Sequence, residues 1–547
     1  MRKTKFVFVL SLAATLSLTG CNLFGKKSEE KEVDNTMAQL EISTFDGGVG
    51  DAWLKKAADL FVQKNKDRTD FEEGKVGCQI HIQRERLGGD TLLSTELKKD
   101  IYFTENVDYY RLTNDNKFAD ITDILTAANP DDGGKTILSK IDTNLTSFMN
   151  RDGKYYAVPF YDCIYGLVYD KDLFSQYSFY MKDDGSFTNN PAEFGTGPNG
   201  YKGDWDDGLP KTYAQFNAMM EQMKIRNVTP FIYSNNSQVS RYTARGLMSY
   251  WSDDEGFDGT QLNYKFNGST KIVKGNYDSS GNFSATINAG VPQTEDVTIT
   301  KENAYLLKRQ PGIYNALNFA DTVLCSSSDN YKPAADNTAA QTEFVNNKDM
   351  GGSVKPIAMM FEGTWWENES VTAFDIAKRN RDSFNYGLMA IPKSSEDKVG
   401  ENATFLNLNN SYGFINANTK QMKLAKEFFQ FVHTDEQLRQ FTMTTSMTRG
   451  LDYTLTEADM SQVTSFAKDL IAIKQSSRAK LVYSVSGEKF FIDHADTFDC
   501  EEWLWGSTNL GVNPIPKFIA DSSLTAESYF NSHVSDLTAT EWGRIIS

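Results

Sequence analysis

The chain has 547 residues, 40% of them hydrophobic, which is too long for one ordinary core and predicts two lobes. Its formal net charge of −17 excludes nucleic acid, whose phosphates need a basic footprint, and otherwise reads as a solvated acidic surface. Aromatic residues reach 13%, enough to fill a core and still line a binding site.

The N-terminus sets the compartment. Arg2, Lys3 and Lys5 precede an uncharged apolar run, Phe6 to Leu18. That run is short for a spanning helix, which wants roughly 20 apolar residues, and fits the core of an export signal. Leu18-Thr19-Gly20-Cys21 follows and resembles the lipobox of bacterial lipoproteins. The resemblance implies cleavage before Cys21 and lipidation of its thiol. Residues 22–37 are polar and charged, and predict a flexible tether. A lipid anchor is then the protein's sole expected attachment to the membrane.

The mature chain opens as strand, helix, strand, the start of an α/β lobe. Leu40 to Phe45 predicts a buried strand, and Asp46 to Gly50 a glycine turn. Ala52, Trp53, Ala57, Leu60 and Phe61 mark one face of a helix, and Cys78 to Gln83 alternates as a second strand. Further strands are expected at Lys99 to Thr104, Tyr165 to Tyr169, Lys355 to Gly363, Asn385 to Lys393 and Ser411 to Asn416. Pro210-Lys211-Thr212 starts a helix with Phe216, Met219, Met220 and Met223 on one face. Residues 258–300 predict a small antiparallel meander, with Leu262, Tyr264 and Phe266 alternating. Thr434 to Gln437 predicts a capping box, and the last hundred residues predict mostly helix.

Cys21, Cys78, Cys163, Cys325 and Cys500 form no C-x-x-C pair, and His81, His433, His494 and His533 are scattered singly. No metal site and no cofactor is expected. The four cysteines beyond Cys21 could form two disulfides in three pairings; free, buried thiols are the reading preferred. Asp183-Asp184-Gly185 lacks the spacing of a calcium loop and reads as a turn.

Five segments in order carry a wider resemblance: YYAVPFYDCIYGLVYDKDLF, LPKTYAQFNAMMEQMK, IAMMFEGTWWENE, FNYGLMAIPK and SYGFINANTKQMKLAKEFFQFVHTDEQL. Together they resemble the extracellular solute-binding proteins of the maltose-binding type. The resemblance implies a two-lobed α/β fold of the type II periplasmic-binding kind, closing on ligand around a hinge that the chain crosses three times. Crossings are expected near Val158 to Ile164, Ile391 to Lys393 and residues 450–456. Lobe one is then 38–160 plus 394–452, and lobe two 161–393 plus 453–547, carrying the extra meander.

The function implied is capture of a carbohydrate, an oligosaccharide above all, for the permease of an ATP-driven importer, by a monomer with no catalytic residues. A sugar ring has an apolar face for aromatic stacking and hydroxyls for planar polar groups. Covering about 80 Å² of that face contributes about 2 kcal/mol. Trp365, after the Gly363 turn, stands where the resembling family places a stacking tryptophan; Trp366 is its rival, and Glu362 a possible hydroxyl acceptor. Asp162 and Tyr165 flank Cys163, the position aligned with a ligand-binding glutamate of the family. Thr104 replaces a stacking tryptophan, with Glu105 beside it. Asp46, Gly48 and Tyr412 are edge candidates, and Trp503 and Trp505 a possible second platform, core packing being the commoner role for both. Other readings stay open: a surface glycoside hydrolase, which needs two spaced carboxylates, a carrier of a peptide or polyamine, or a sensor adaptor.

Overall fold

The computed structural model describes residues 32–235, 241–349, 354–408, 411–494, 500–506 and 511–547. Cys21 and the expected export signal lie outside the described residues. Residues 32–36, read as tether, dock on the first sheet: Gln79 donates to the Glu32 carbonyl at 2.9 Å and accepts from the Asp34 N–H at 2.9 Å.

Two five-stranded mixed sheets organise the molecule. The first runs Cys78–Glu85, Ala38–Phe45, Ile101–Thr104, Tyr412–Ile415, Val158–Pro159. Its first three strands are parallel, and Tyr412–Ile415 is antiparallel to both neighbours. The second runs Tyr331–Ala334, Thr229–Ser234, Ile357–Gly363, Tyr165–Asp170, Tyr386–Leu388. Its first three strands are parallel, and Tyr165–Asp170 lies antiparallel to both its neighbours. Ile101–Thr104, Tyr165–Asp170 and Ile357–Gly363 are buried along their whole length. Apart from Thr104, Asp170 and Glu362 near their ends they carry no strongly polar side chain, as strands covered on both faces require.

Local signals explain the helices. In Ala52–Lys64 the buried stripe is Trp53, Leu54, Ala57, Ala58 and Phe61. Leu60, at the edge of that stripe, is exposed. Tyr213–Ile225 is capped by Thr212, which accepts from the Gln215 N–H, and buries Phe216, Met219, Met220 and Met223. Thr434 caps Asp435–Thr445 through the Gln437 N–H, half of the expected box.

The insert is a branched hairpin rather than a simple meander. Gly268–Val273 pairs with Thr294–Ile299, and two small hairpins extend from its far end, Gly275–Tyr277 with Phe283–Ala285 and Ile287–Asn288 with Val291–Pro292. Leu262–Tyr264, expected to alternate as a strand, is a buried 3-10 turn. The last hundred residues are mostly helical, as expected, apart from the strand Ala479–Tyr483.

That strand finds its partner far back in the chain. Ala403–Asn407 pairs with it in parallel. Residue 404 is also tied to the helix Arg241–Gln261 through Ser252 and Asp253. Lys393 is fully buried against Asp253 at 2.9 Å. Residues 391–407 thus stand beside the second sheet, and the chain enters the first sheet only at Tyr412.

Candidate functional site

Asp162, in the segment expected as the first crossing, draws together three distant parts of the chain. Its carboxylate accepts from Asn407 Nδ2 at 2.9 Å, Thr448 Oγ1 at 2.7 Å and Lys474 Nζ at 2.8 Å. Backbone pairs lock the same region: Leu408 N–H to the Cys163 carbonyl at 2.9 Å and Asp162 N–H to the Thr448 carbonyl at 3.0 Å. Asp162 was expected to face a ligand. Instead it is buried and both its oxygens accept hydrogen bonds, so it pins these segments together.

An aromatic cluster lies beyond this pin, between the two sheets. Gly48 and Glu105 come from loops after parallel strands of the first sheet, where ligands of open α/β sheets bind. Tyr161 comes from the first crossing. The second sheet supplies Tyr165 at a strand start and Trp365 after the Gly363 turn; Tyr242 and Arg245 come from the first turns of Arg241–Gln261. The Trp365 ring centroid is 4.9 Å from Tyr165, 5.9 Å from Tyr242 and 6.3 Å from Tyr161, all edge-on. Its indole folds back over residue 363, where any Cβ would lie 2.3 Å from the ring. Only glycine fits there.

Polar groups ring the aromatics. Tyr161 donates to Glu105 Oε1 at 2.6 Å, and Arg245 donates to the Tyr165 hydroxyl at 2.5 Å. Gln341 donates to Glu362 Oε1 at 3.0 Å and Glu369 Oε2 at 3.3 Å. Burial raises the Glu105 carboxyl above the usual carboxylate range, opposed by the Tyr161 hydroxyl and Arg245. Burial also raises Glu362, with the Glu369 charge adding to it. Glu369 is raised by burial and then by the Glu105 charge. Protonated, these carboxyls donate as well as accept, the versatility that hydroxyl groups require.

Of the residues named from sequence, Trp365, Tyr165, Glu105 and Gly48 are brought together here. Glu362 lies beneath the cluster, buried on Gln341 and the Gly363 N–H. The others point elsewhere. Trp366 is fully buried among Phe344, Tyr386, Phe374 and Phe466, because one helical step turns it about 100° from Trp365 into the core. Asp46 pairs outward with Arg84 at 2.7 Å. Tyr412 is buried opposite Thr104 in the first sheet, with its ring 5.9 Å from that of Tyr109. Trp503 donates to Asn263 at 2.9 Å and Trp505 to the Ala244 carbonyl at 2.9 Å; both are core residues and form no platform. Thr104 is buried and donates to the Leu87 carbonyl. Tyr161, Tyr242, Arg245, Gln341 and Glu369 were not foreseen.

Cys78, Cys163 and Cys325 carry free thiols, the first two buried. Asp183 is held by Lys211 at 2.8 Å and caps the Thr196 N–H, a turn role. Among the described residues no helix is long and apolar enough to cross a membrane.

Comparison with solved structures identifies the same fold. Apo RafE from Streptococcus pneumoniae aligns with a TM-score of 0.53 at 13% identity, over 93% of this chain and 100% of that one. RafE in complex with raffinose gives 0.50 at 14% identity, over 90% and 99%. A chitin oligosaccharide binding protein gives 0.50 at 14% identity, over 88% and 98%. At these identities the likeness establishes a two-lobed fold of the type II solute-binding kind. Comparison with curated proteins returns no match. The family model described as bacterial extracellular solute-binding protein matches residues 90–451, well over half the chain. Such proteins bind and deliver solutes and are not enzymes. The chain belongs to the bacterial extracellular solute-binding protein family.

Proposed function

We propose that this protein captures a carbohydrate of oligosaccharide size on the outer side of the cytoplasmic membrane. It releases the sugar to the permease of an ATP-driven importer and is held at the membrane as a monomer by lipid on Cys21. The observation that carries the reading is Trp365, an indole from the second sheet set against Gly48 of the first and edged by three tyrosines. Opening about the Asp162 pin would separate these halves, and a sugar ring between them would take the contact that Gly48 now makes. The raffinose complex of RafE and the chitin oligosaccharide binding protein, which share the fold, support the ligand class. Trp365, Tyr161, Tyr165 and Tyr242 would cover apolar faces; Glu105, Glu369 and Arg245 would take hydroxyls. Two stacked rings and several hydrogen bonds, that of Arg245 charge-assisted, reach about −8 kcal/mol after association costs, or micromolar binding. A cationic solute would have to ionise Glu362 and Glu369, which burial opposes.

The test is a thermal-shift screen against a glycan panel that includes raffinose-type and chitin-type oligosaccharides, maltodextrins and a polyamine control. Stoichiometric stabilisation by a glycan without product release supports the reading. Stabilisation by the polyamine alone, or by no glycan, rejects it.

A further inference from the structure

The loop between the Phe187–Thr188 strand and the helix Tyr213–Ile225 carries three carboxylates the sugar cleft does not use. Asp204, Asp206 and Asp207 each offer one carboxylate oxygen, and the three lie within 4.8 Å of one another. Asp206 is fully buried. Its Oδ2 accepts from the Asn199 N–H at 2.9 Å, while its Oδ1 is buried with no donor. Asp207 repeats the pattern: Oδ2 accepts from the Gly203 N–H at 2.7 Å, and Oδ1 is buried without a donor. Asp204 takes the Asn199 side-chain amide at 2.7 Å. The nearby Lys202 ammonium is spent on the Phe194 carbonyl.

Leaving two carboxylate oxygens dry and undonated is costly, and a third carboxylate beside them adds repulsion. Either the cluster shares a proton or a cation completes it.

We propose that Asp204, Asp206 and Asp207 bind a calcium ion, with water and loop carbonyls completing the shell. Calcium takes 6–8 oxygens at about 2.3–2.6 Å, so ligands on opposite sides stand up to about 5 Å apart. The three carboxylate oxygens lie within that reach. Irregular loop ligands suit calcium's flexible shell better than magnesium's strict octahedron. A weak site suffices outside the cell, where calcium-binding modules work at about 10⁻⁴–10⁻³ M. The ion would brace the loop that roofs the strand pair Ala403–Asn407 and Ala479–Tyr483. There Trp205 packs 5.7 Å from Phe405, Arg478 stacks 3.3 Å over Tyr201, and the Gly400 N–H meets the Pro198 carbonyl at 3.0 Å. This site is independent of the sugar reading.

The test uses the EDTA-treated mature protein. Calcium at about 2 mM is expected to raise the melting temperature where equal magnesium does not. Terbium should luminesce on tryptophan excitation through Trp205, which sits between two of the ligands, and calcium should displace it. Asp206→Asn and Asp207→Asn should each weaken terbium binding at least about tenfold. No calcium response in the wild-type protein overturns the proposal, and that result needs no variant to fold. A calcium response that persists in both variants also overturns it.

Discussion

Gly48 lies directly against Trp365: a Cβ at residue 48 would stand 2.7 Å from the indole Cδ1 and 2.9 Å from Glu369 Cγ. Both neighbours belong to the opposite half of the molecule. The missing side chain therefore lets the two halves meet. Gly48→Ala is expected to weaken binding of the best glycan at least about tenfold by obstructing closure. It should leave the unliganded melting temperature within about 2 °C, since residue 48 lies at the cleft rather than in either core. Titration calorimetry and a thermal melt on the same preparation check both halves of this prediction.

Trp365→Ala removes the widest apolar surface of the cluster. At about 25 cal/mol per Å², losing about 80 Å² of sugar contact costs about 2 kcal/mol, or roughly thirtyfold in affinity. Trp365→Phe should recover part of that loss. An unchanged Kd for Trp365→Ala by calorimetry would remove the residue from the site.

The legible parts of the site were those signalled locally. Trp365 follows a glycine turn at the end of an apolar strand, so both its position and its indole are visible in sequence. Trp366 has the same credentials one residue later, and only the helix that starts there sends it to the core. Tyr242 and Arg245 left no comparable mark: they sit three residues apart on a helix whose partners lie far along the chain. Asp162 lies in the segment read as the first crossing, yet its role depends on Asn407, Thr448 and Lys474, which are 245, 286 and 312 residues away. The strand at 403–407 left no mark in the sequence reading for the same reason, since its partner strand begins at Ala479.

Buried carboxyls set the pH dependence. Glu367 is buried, with Oε2 accepting from Thr464 at 2.7 Å and Oε1 without a donor; burial pushes it up to about 7. Unfolded, a glutamate titrates near about 4.3, so between these values the native state holds the extra proton. Stability therefore falls as pH rises through that window and levels off above it. Glu362 and Glu369 act in the same direction. Burial holds the His433 and His533 imidazoles well below their usual range, and these act in the opposite direction. The Glu367 contribution is therefore read against Glu367→Gln: at constant calcium, the melting temperature of the wild type relative to the variant should fall between pH about 5 and pH about 7.5. A difference between the two proteins that does not change across this range would contradict the assignment.

Asp162 offers the sharpest contrast between hinge and ligand roles. Removing its carboxylate leaves the Lys474 ammonium facing only carbonyls, among them Leu451 at 2.9 Å, and frees Asn407 and Thr448. Breaking a buried pair on one side costs about 3–5 kcal/mol. Asp162→Ala should therefore lower the denaturant midpoint sharply, with or without glycan. Asp162→Asn keeps an acceptor for Thr448 but loses the charge facing Lys474, and should fall between. A ligand-binding Asp162 would behave in the opposite way: stability would hold while affinity collapsed. The ratio of the two effects, read from urea titration and calorimetry on one set of variants, separates a pin from a contact.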